Sequence, residues 1–201
     1  MSNLIAFHTS NEKEAGCDEA GRGCLAGPVV AAAVILSANF DHEYLNDSKK
    51  LTANRRMLLR ELIMEHSITF GIGMASVEEI DTINILNASF LAMHRAIDAL
   101  SFTPEILLID GNRFTKYQSV KHHCIISGDA IYRSIAAASI LAKTERDLLM
   151  KQLDNDFSCY NWKQNKGYPT IEHRKMIAEN GISTHHRKTF NMGLQLKVDF
   201  I

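Results

Sequence analysis

Four acidic residues could do chemistry together: the adjacent pair Asp18 and Glu19, then Asp110 and Asp129. Asp18 and Glu19 stand at the end of a first strand, read over residues 14–18. Asp110 closes a short apolar strand over 106–109, and Asp129 follows another over 124–126. Strand exits can meet at one edge of a sheet, and carboxylates gathered there repel one another unless a cation holds them. Hard oxygen ligands select Mg²⁺ or Mn²⁺, and Mg²⁺ characteristically combines few protein carboxylates with water and substrate phosphate. Phosphodiester chemistry is the natural reading. Taken singly, some of these acids have plainer explanations: Asp110-Gly111 is ordinary turn vocabulary, and Asp129 ahead of a helix suits a cap and its dipole. The Asp18-Glu19 pair resists that account. Two consecutive acids between Cys17 and Ala20, beside a buried strand, carry a desolvation cost that a metal offsets.

The elements that must position these acids follow from patterning. Residues 14–18 and 28–36 read as two strands of a hairpin joined by Gly21-Arg22-Gly23, the second Val-, Ile- and Ala-rich and largely buried. Thr52 is a plausible N-cap for a helix in which Met57, Leu58, Leu62 and Ile63 recur at helical spacing. Alternating Ile68, Phe70, Ile72 and Met74 predict a third strand over 68–75. From 77 to 100, Ile80, Ile83, Leu86, Phe90, Met93, Ile97 and Leu100 step by three and four, as in one long amphipathic helix. Helices are expected over 132–153, Ala-rich in its first half, and over 170–180, stopped by Gly181. A strand meander followed by strands alternating with helices predicts an α/β class with a mixed sheet flanked by helices.

Composition narrows the setting. With 201 residues and 46% apolar content the chain can bury a sizeable core. The four cysteines form no CxxC pair, which favours a reducing compartment. The longest apolar run, 24–36, contains Gly27 and Pro28 and is shorter than the ~20 residues of a membrane span. No signal-peptide pattern precedes it, so a cytoplasmic location without membrane attachment is expected. A net charge of -1 gives no global attraction for nucleic acid, so any such affinity must be local. Basic residues cluster at Lys49, Lys50, Arg55 and Arg56, at Lys143 and Arg146, and at Lys163, Lys166, Arg187 and Lys188. The pairs His122-His123 and His185-His186 read as surface histidines, since neighbours on a strand point to opposite faces.

The stretch Cys17-Asp18-Glu19-Ala20-Gly21-Arg22-Gly23, followed by Leu25-Ala26-Gly27-Pro28-Val29-Val30, resembles the N-terminal signature of the bacterial ribonuclease HII family. Asp47-Ser48-Lys49-Lys50-Leu51, Asn84-Ile85-Leu86, Leu108-Ile109-Asp110-Gly111-Asn112, Gly128-Asp129, residues 134–143 and Gly167-Tyr168-Pro169-Thr170 resemble further blocks of that family, in its order, over about residues 15–190. The resemblance implies a single ribonuclease H-like catalytic domain over 1–201, with a helical C-terminal part from about 155. It implies that Asp18, Glu19, Asp110 and Asp129 bind two divalent ions, Mg²⁺ or Mn²⁺, which activate water and neutralise the leaving 3′ oxygen. The implied substrates are RNA/DNA hybrids and duplex DNA containing single ribonucleotides, cut to leave 5′-phosphate and 3′-hydroxyl ends.

Substrate-binding residues carried over by the same resemblance are Gly21, Arg22 and Gly23 as the ribose-reading loop, Tyr168 stacking on the sugar at the RNA-to-DNA junction, and Lys49 on a phosphate. The physics agrees for the loop, because glycine lets backbone donors and acceptors approach a sugar and Arg22 can reach a phosphate. Ser127 departs from the pattern, standing where a basic residue is expected. The sister type ribonuclease HIII carries a substrate-binding domain ahead of the acidic pair, and only 17 residues precede Asp18 here, which favours HII. A noncatalytic nucleic-acid-binding module of the same fold is the contrasting class, and a small-molecule phosphohydrolase lacks support because there is no Walker-type loop. A monomer is the default expectation.

Overall fold

The computed structural model describes residues 3–9, 13–45 and 51–193. Its centre is a five-stranded mixed sheet. The strands are β1 (Glu14–Ala20), β2 (Val29–Leu36), β3 (Ser67–Ala75), β4 (Ile106–Asp110) and β5 (Lys121–Ile125), in the spatial order β3-β2-β1-β4-β5. β1 and β2 pair antiparallel, as do β2 and β3, whereas β1–β4 and β4–β5 are parallel. Helices α1 (Ala53–His66), α2 (Val77–Asp98), α3 (Arg133–Asp156), α4 (Trp162–Asn165) and α5 (Ile171–Asn180), with 3-10 turns at Gly128–Ala130 and Ser158–Tyr160, complete the described elements.

The run Val-Val-Ala-Ala-Ala-Val-Ile-Leu makes β2 buried along its whole length, because both faces of the sheet are covered. Successive side chains alternate between faces. Val29, Ala31, Ala33 and Ile35 join Ala88, Ala92, Met93, Ala96 and Ile97 of α2 in one core. Ala32, Val34 and Leu36 join the alanines of α3, with Leu59 and Ile63 of α1, in the other. A third, smaller core gathers Leu25, Ala26, Met150, Tyr160, Trp162, Ile177 and Met192 around the segment after α3.

Packing refines four of the expected elements. The strand expected over 68–75 forms as β3; its fully buried residues are Thr69, Gly71, Gly73 and Ala75, Phe70 and Ile72 pack partly buried against the second core, and Ile68 and Met74 are exposed. The glycines follow from the closeness of α2: a Cβ on Gly71 or Gly73 would lie 2.1 or 2.3 Å from carbonyl oxygens of Ala96 or Ala92. In α1 the buried stripe runs through Leu59 and Ile63, leaving Met57 and Leu58 exposed. The long helix over 77–100 is broken at Asn84 (φ 64°, ψ 163°), whose side-chain oxygen accepts from the N–H groups of Leu86 and Asn87 and so caps the second half. β5 begins at Lys121, earlier than its apolar tail suggested, because backbone pairing with β4 rather than burial defines it. Thr52 caps α1 as expected, and Thr170 caps α5, which starts at Ile171.

Candidate active site

Register brings the acids together. Cys17 pairs with Ile109 across the parallel β1–β4 ladder, so Asp18 and Asp110, one residue further on, lie side by side where β4 ends. Cys17 and Ile109 both face the α2 core, and alternation therefore turns Asp18 and Asp110 toward the α3 face. There Ser139 of α3 hydrogen-bonds Asp18, and the Glu19 N–H donates to Asp18 Oδ1 at 2.7 Å. Asp110 Oδ1 accepts the Gly128 N–H at 2.7 Å, which fastens the 3-10 turn holding Asp129 to the end of β4. α3 is admitted this close by Gly16: a Cβ there would sit 2.2 Å from the Ser134 carbonyl carbon.

A cavity of about 230 Å³ opens on this edge, lined by Asp18, Glu19, Ala20, Gly21, Arg22, Gly23, Asp110, Ser139, Lys143 and Tyr168. Three of the four predicted acids thus share one wall with the whole predicted glycine loop and Tyr168. Asp129 is buried beside Asp110 and does not line the cavity. Lys49 lies outside the described residues. Ser127 is exposed in a left-handed conformation (φ 55°) just before Gly128.

The electrostatics suit a cation. Burial, followed by the negative charges of Glu19 and Asp110, holds the Asp18 carboxyl well above the usual carboxylate range. Burial raises Glu19 as well, against the opposing pull of Arg22, which forms a 3.1 Å ion pair with it. Among the described residues no three His, Cys, Asp or Glu side chains enclose an ion on their own. An all-carboxylate donor set that leaves coordination positions to water and phosphate fits Mg²⁺ or Mn²⁺ and would not suit zinc.

Sequence reasoning missed the bracing of the glycine loop. Arg146 and Arg187 read as members of basic surface clusters, yet both are fully buried. Arg187 donates from Nε and Nη2 to the Gly27 carbonyl (3.0 and 2.9 Å) and from Nη1 to the Arg22 carbonyl (2.9 Å). Arg146 donates to the carbonyls of Pro28, Lys166 and Ala26. Neither forms an ion pair with a carboxylate among the described residues; the planar five-donor fork is spent on carbonyls that the irregular loop leaves without ladder partners. Lys143 Nζ and Arg146 Cζ stand 5.6 and 5.9 Å from the Tyr168 ring centre, an arrangement in cation–π range. His186 is likewise buried rather than on the surface, packed with His173, Tyr160 and Trp162. No single-residue signal marked these positions, because a lone Arg or His looks the same in sequence whether it faces carbonyls or water.

Comparison with known proteins agrees with this geometry. Residues 15–192 match the family model for ribonuclease HII. A Porphyromonas gingivalis ribonuclease HII is 62% identical over 187 residues, covering 93% of each chain. The ribonuclease HII of Archaeoglobus fulgidus, solved as a complex with PCNA, superposes with a TM-score of 0.71 at 26% identity, covering 94% of this chain and 100% of that one. Bst-RNase HIII, solved in complex with Mn²⁺, has the same fold with a TM-score of 0.66 at 19% identity, covering 95% of this chain and 74% of that one. A mixed sheet whose strand exits gather carboxylates against a braced glycine loop, matched over nearly the whole chain at this identity, places the protein in the ribonuclease HII family, with its ribonuclease H-like fold.

Proposed function

We propose that this chain is an endonuclease that hydrolyses the RNA strand of RNA/DNA hybrids, including single ribonucleotides embedded in duplex DNA, leaving 5′-phosphate and 3′-hydroxyl ends. The observation that carries this reading is the shared cavity, in which Asp18, Glu19 and Asp110 face the same space as Gly21, Arg22, Gly23 and Tyr168. The acids of that lining can bind cations and the glycine loop beside them can read a sugar. The 2′-hydroxyl is the feature present at every ribonucleotide, and a glycine-lined backbone is what can approach it.

Asp18, Glu19, Asp110 and Asp129 would hold two divalent ions, Mg²⁺ or Mn²⁺, and the Mn²⁺ complex of Bst-RNase HIII supports that choice. The chemistry such ions supply when bound is a nucleophilic water at neutral pH and neutralisation of charge on the phosphate and leaving oxygen. The chain's own residues do the positioning. Ser139 and the Glu19 N–H fix the Asp18 carboxylate, and Gly128 fixes that of Asp110. Arg22 restrains Glu19 while its exposed guanidinium stays near incoming phosphate. Tyr168, 38% exposed at the cavity rim, offers a ring face for the sugar beyond the ribonucleotide.

A second cavity of about 490 Å³ continues from Lys143 and Tyr168 and presents Arg56, Lys151, Lys163 and Lys166. Point charges spaced along a groove suit the phosphates of a duplex, whose contacts position rather than specify. The same reading treats the chain as one catalytic unit, with the segment after about residue 155 forming a substrate wall, acting as a cytoplasmic monomer. Among the described residues no helix is long and apolar enough to cross a membrane.

The test is metal-dependent cleavage of a labelled hybrid by wild type, Asp18→Asn and Asp110→Asn, each checked for folding by circular dichroism. The reading expects folded, inactive variants and a wild type silenced by chelator. Unchanged activity in either variant would sink the assignment of the acids, and hybrid binding without cleavage in Mg²⁺ or Mn²⁺ would favour the noncatalytic module.

A further inference from the structure

The loop that faces the acids is held between two other segments. On one side Leu25 donates to the Gly167 carbonyl at 2.7 Å, next to Tyr168. On the other, Gly27 donates to His185 O and Arg187 donates to Leu25 O, both at 2.9 Å. These flanking segments are joined beneath the loop by two fully buried histidines, His173 of α5 and His186, whose Nε2 atoms lie 3.2 Å apart.

The partners of these rings leave one arrangement of protons. Trp162 Nε1–H, which can only donate, points at His173 Nε2 from 3.0 Å, so that nitrogen accepts. His173 Nδ1 therefore carries the proton, and it faces the Tyr168 carbonyl at 2.9 Å. At the far end the Ser183 N–H donates to His186 Nδ1 at 2.9 Å, with the Ser183 hydroxyl at 3.0 Å, so Nδ1 of His186 accepts and its Nε2 carries the proton toward His173. Three groups with fixed roles, the Trp162 N–H, the Tyr168 carbonyl and the Ser183 N–H, thus dictate opposite neutral tautomers. An added proton on either ring sets donor against donor in a buried site.

We propose that His173 and His186 are positioning residues for the reaction: as a tautomer-locked neutral pair they fix the Tyr168 backbone relative to the segment bracing the glycine loop. The proposal rests on the reading of Tyr168 as a substrate contact. Charged and titratable groups around the pair are Glu172 and Arg174 on α5, His185 on the bracing segment, and the Tyr160 hydroxyl, which donates to the Gly181 carbonyl. Among the described residues no carboxylate is hydrogen-bonded to either ring, and the pull of the Tyr168 carbonyl and of Glu172 toward an imidazolium at His173 is outweighed by burial. Burial accordingly pushes His173 down, and His186 down to about 4.

The first arm of the test uses the unaltered protein. Nitrogen-15 chemical shifts at about pH 6, where a free histidine is mostly charged, should show His173 as the neutral Nδ1–H form and His186 as the neutral Nε2–H form. A charged ring, or the same tautomer at both positions, would overturn the lock, whether or not any variant folds. The second arm measures kcat/KM on a duplex with one ribonucleotide for His173→Leu, Tyr168→Ala and the double variant. Tyr168→Ala should lose on the order of tenfold. His173→Leu should lose a comparable factor, and adding it to Tyr168→Ala should cost less than about twofold more. His173→Asn, which can keep the donor to Tyr168, should recover part of the loss. Additive losses would overturn the coupling, whereas a silent Tyr168→Ala would overturn the functional reading on which it rests.

Discussion

Gly23→Ala separates a loop that reads a sugar from a loop that merely turns. A Cβ on Gly23 meets no heavy atom within 4 Å, and Gly23 is not among the glycines with positive φ. Its neighbour Gly21 differs on both counts, with φ 99° and a Cβ position 2.0 Å from Arg146 Nε. Alanine at 23 should therefore leave stability within about 1 kcal/mol of wild type, with any change favourable through the unfolded chain. The added methyl extends about 1.5 Å beyond Cα. A sugar seated against this backbone must retreat by a similar distance, and a misplacement of about 1 Å costs roughly 10²-fold, or about 2.7 kcal/mol, in the reaction. The assay pairs urea denaturation with kcat/KM on a duplex carrying one ribonucleotide. Wild-type kcat/KM in a normally stable variant would refute backbone contact with the sugar, and a strongly destabilised variant would refute the open space.

Three other outcomes follow from the same geometry. Asp18→Asn removes a carboxylate raised by burial and by Glu19 and Asp110, so in chelator it should melt higher, by about 0.5–2 kcal/mol in stability, while losing cleavage; an unchanged or lower melting point would contradict the strain assigned to the acids. Arg187→Lys cannot reproduce the fork onto Gly27 and Arg22, and should cost about 2–4 kcal/mol, read as a fall of roughly 2–4 °C in Tm per kcal/mol; a loss under about 0.5 kcal/mol would show that the loop does not need the brace. The third concerns pH. His186 falls from 6.5 in the unfolded chain to about 4 in the fold, so its contribution is fully present above pH 6.5 and is lost as pH drops from 6.5 toward 4, on the order of 3 kcal/mol in all. The raised Asp18 and Glu19 act with the opposite sign, so the difference between wild type and His186→Gln across that window isolates the histidine, and a flat difference would contradict its buried neutral state.

The outline of the fold was legible because β2, the cap Thr52 and the Ala-rich face of α3 each follow local rules that tertiary packing reinforced. Errors arose where packing overrode size. Gly71 and Gly73 occupy the α2 face of β3 because that helix comes too close for larger residues, while Phe70 and Ile72 pack against the core on the opposite face. The break at Asn84 was hidden because the apolar spacing runs unbroken through it. The cavity lining joins Asp18, Glu19, Asp110, the glycine loop and Tyr168, each named from motif and strand position. Arg146, Arg187, His173 and His186 were not legible as supports, since their partners are backbone carbonyls and N–H groups that only the folded chain brings near.

The most direct test of the central claim is cleavage of a labelled DNA duplex containing one ribonucleotide, in Mg²⁺, Mn²⁺ or chelator, with the cut mapped to the nucleotide. The account predicts a single metal-dependent nick on the 5′ side of the ribonucleotide; an intact duplex beside a cleaved RNA/DNA hybrid, or no cutting of either, would contradict it.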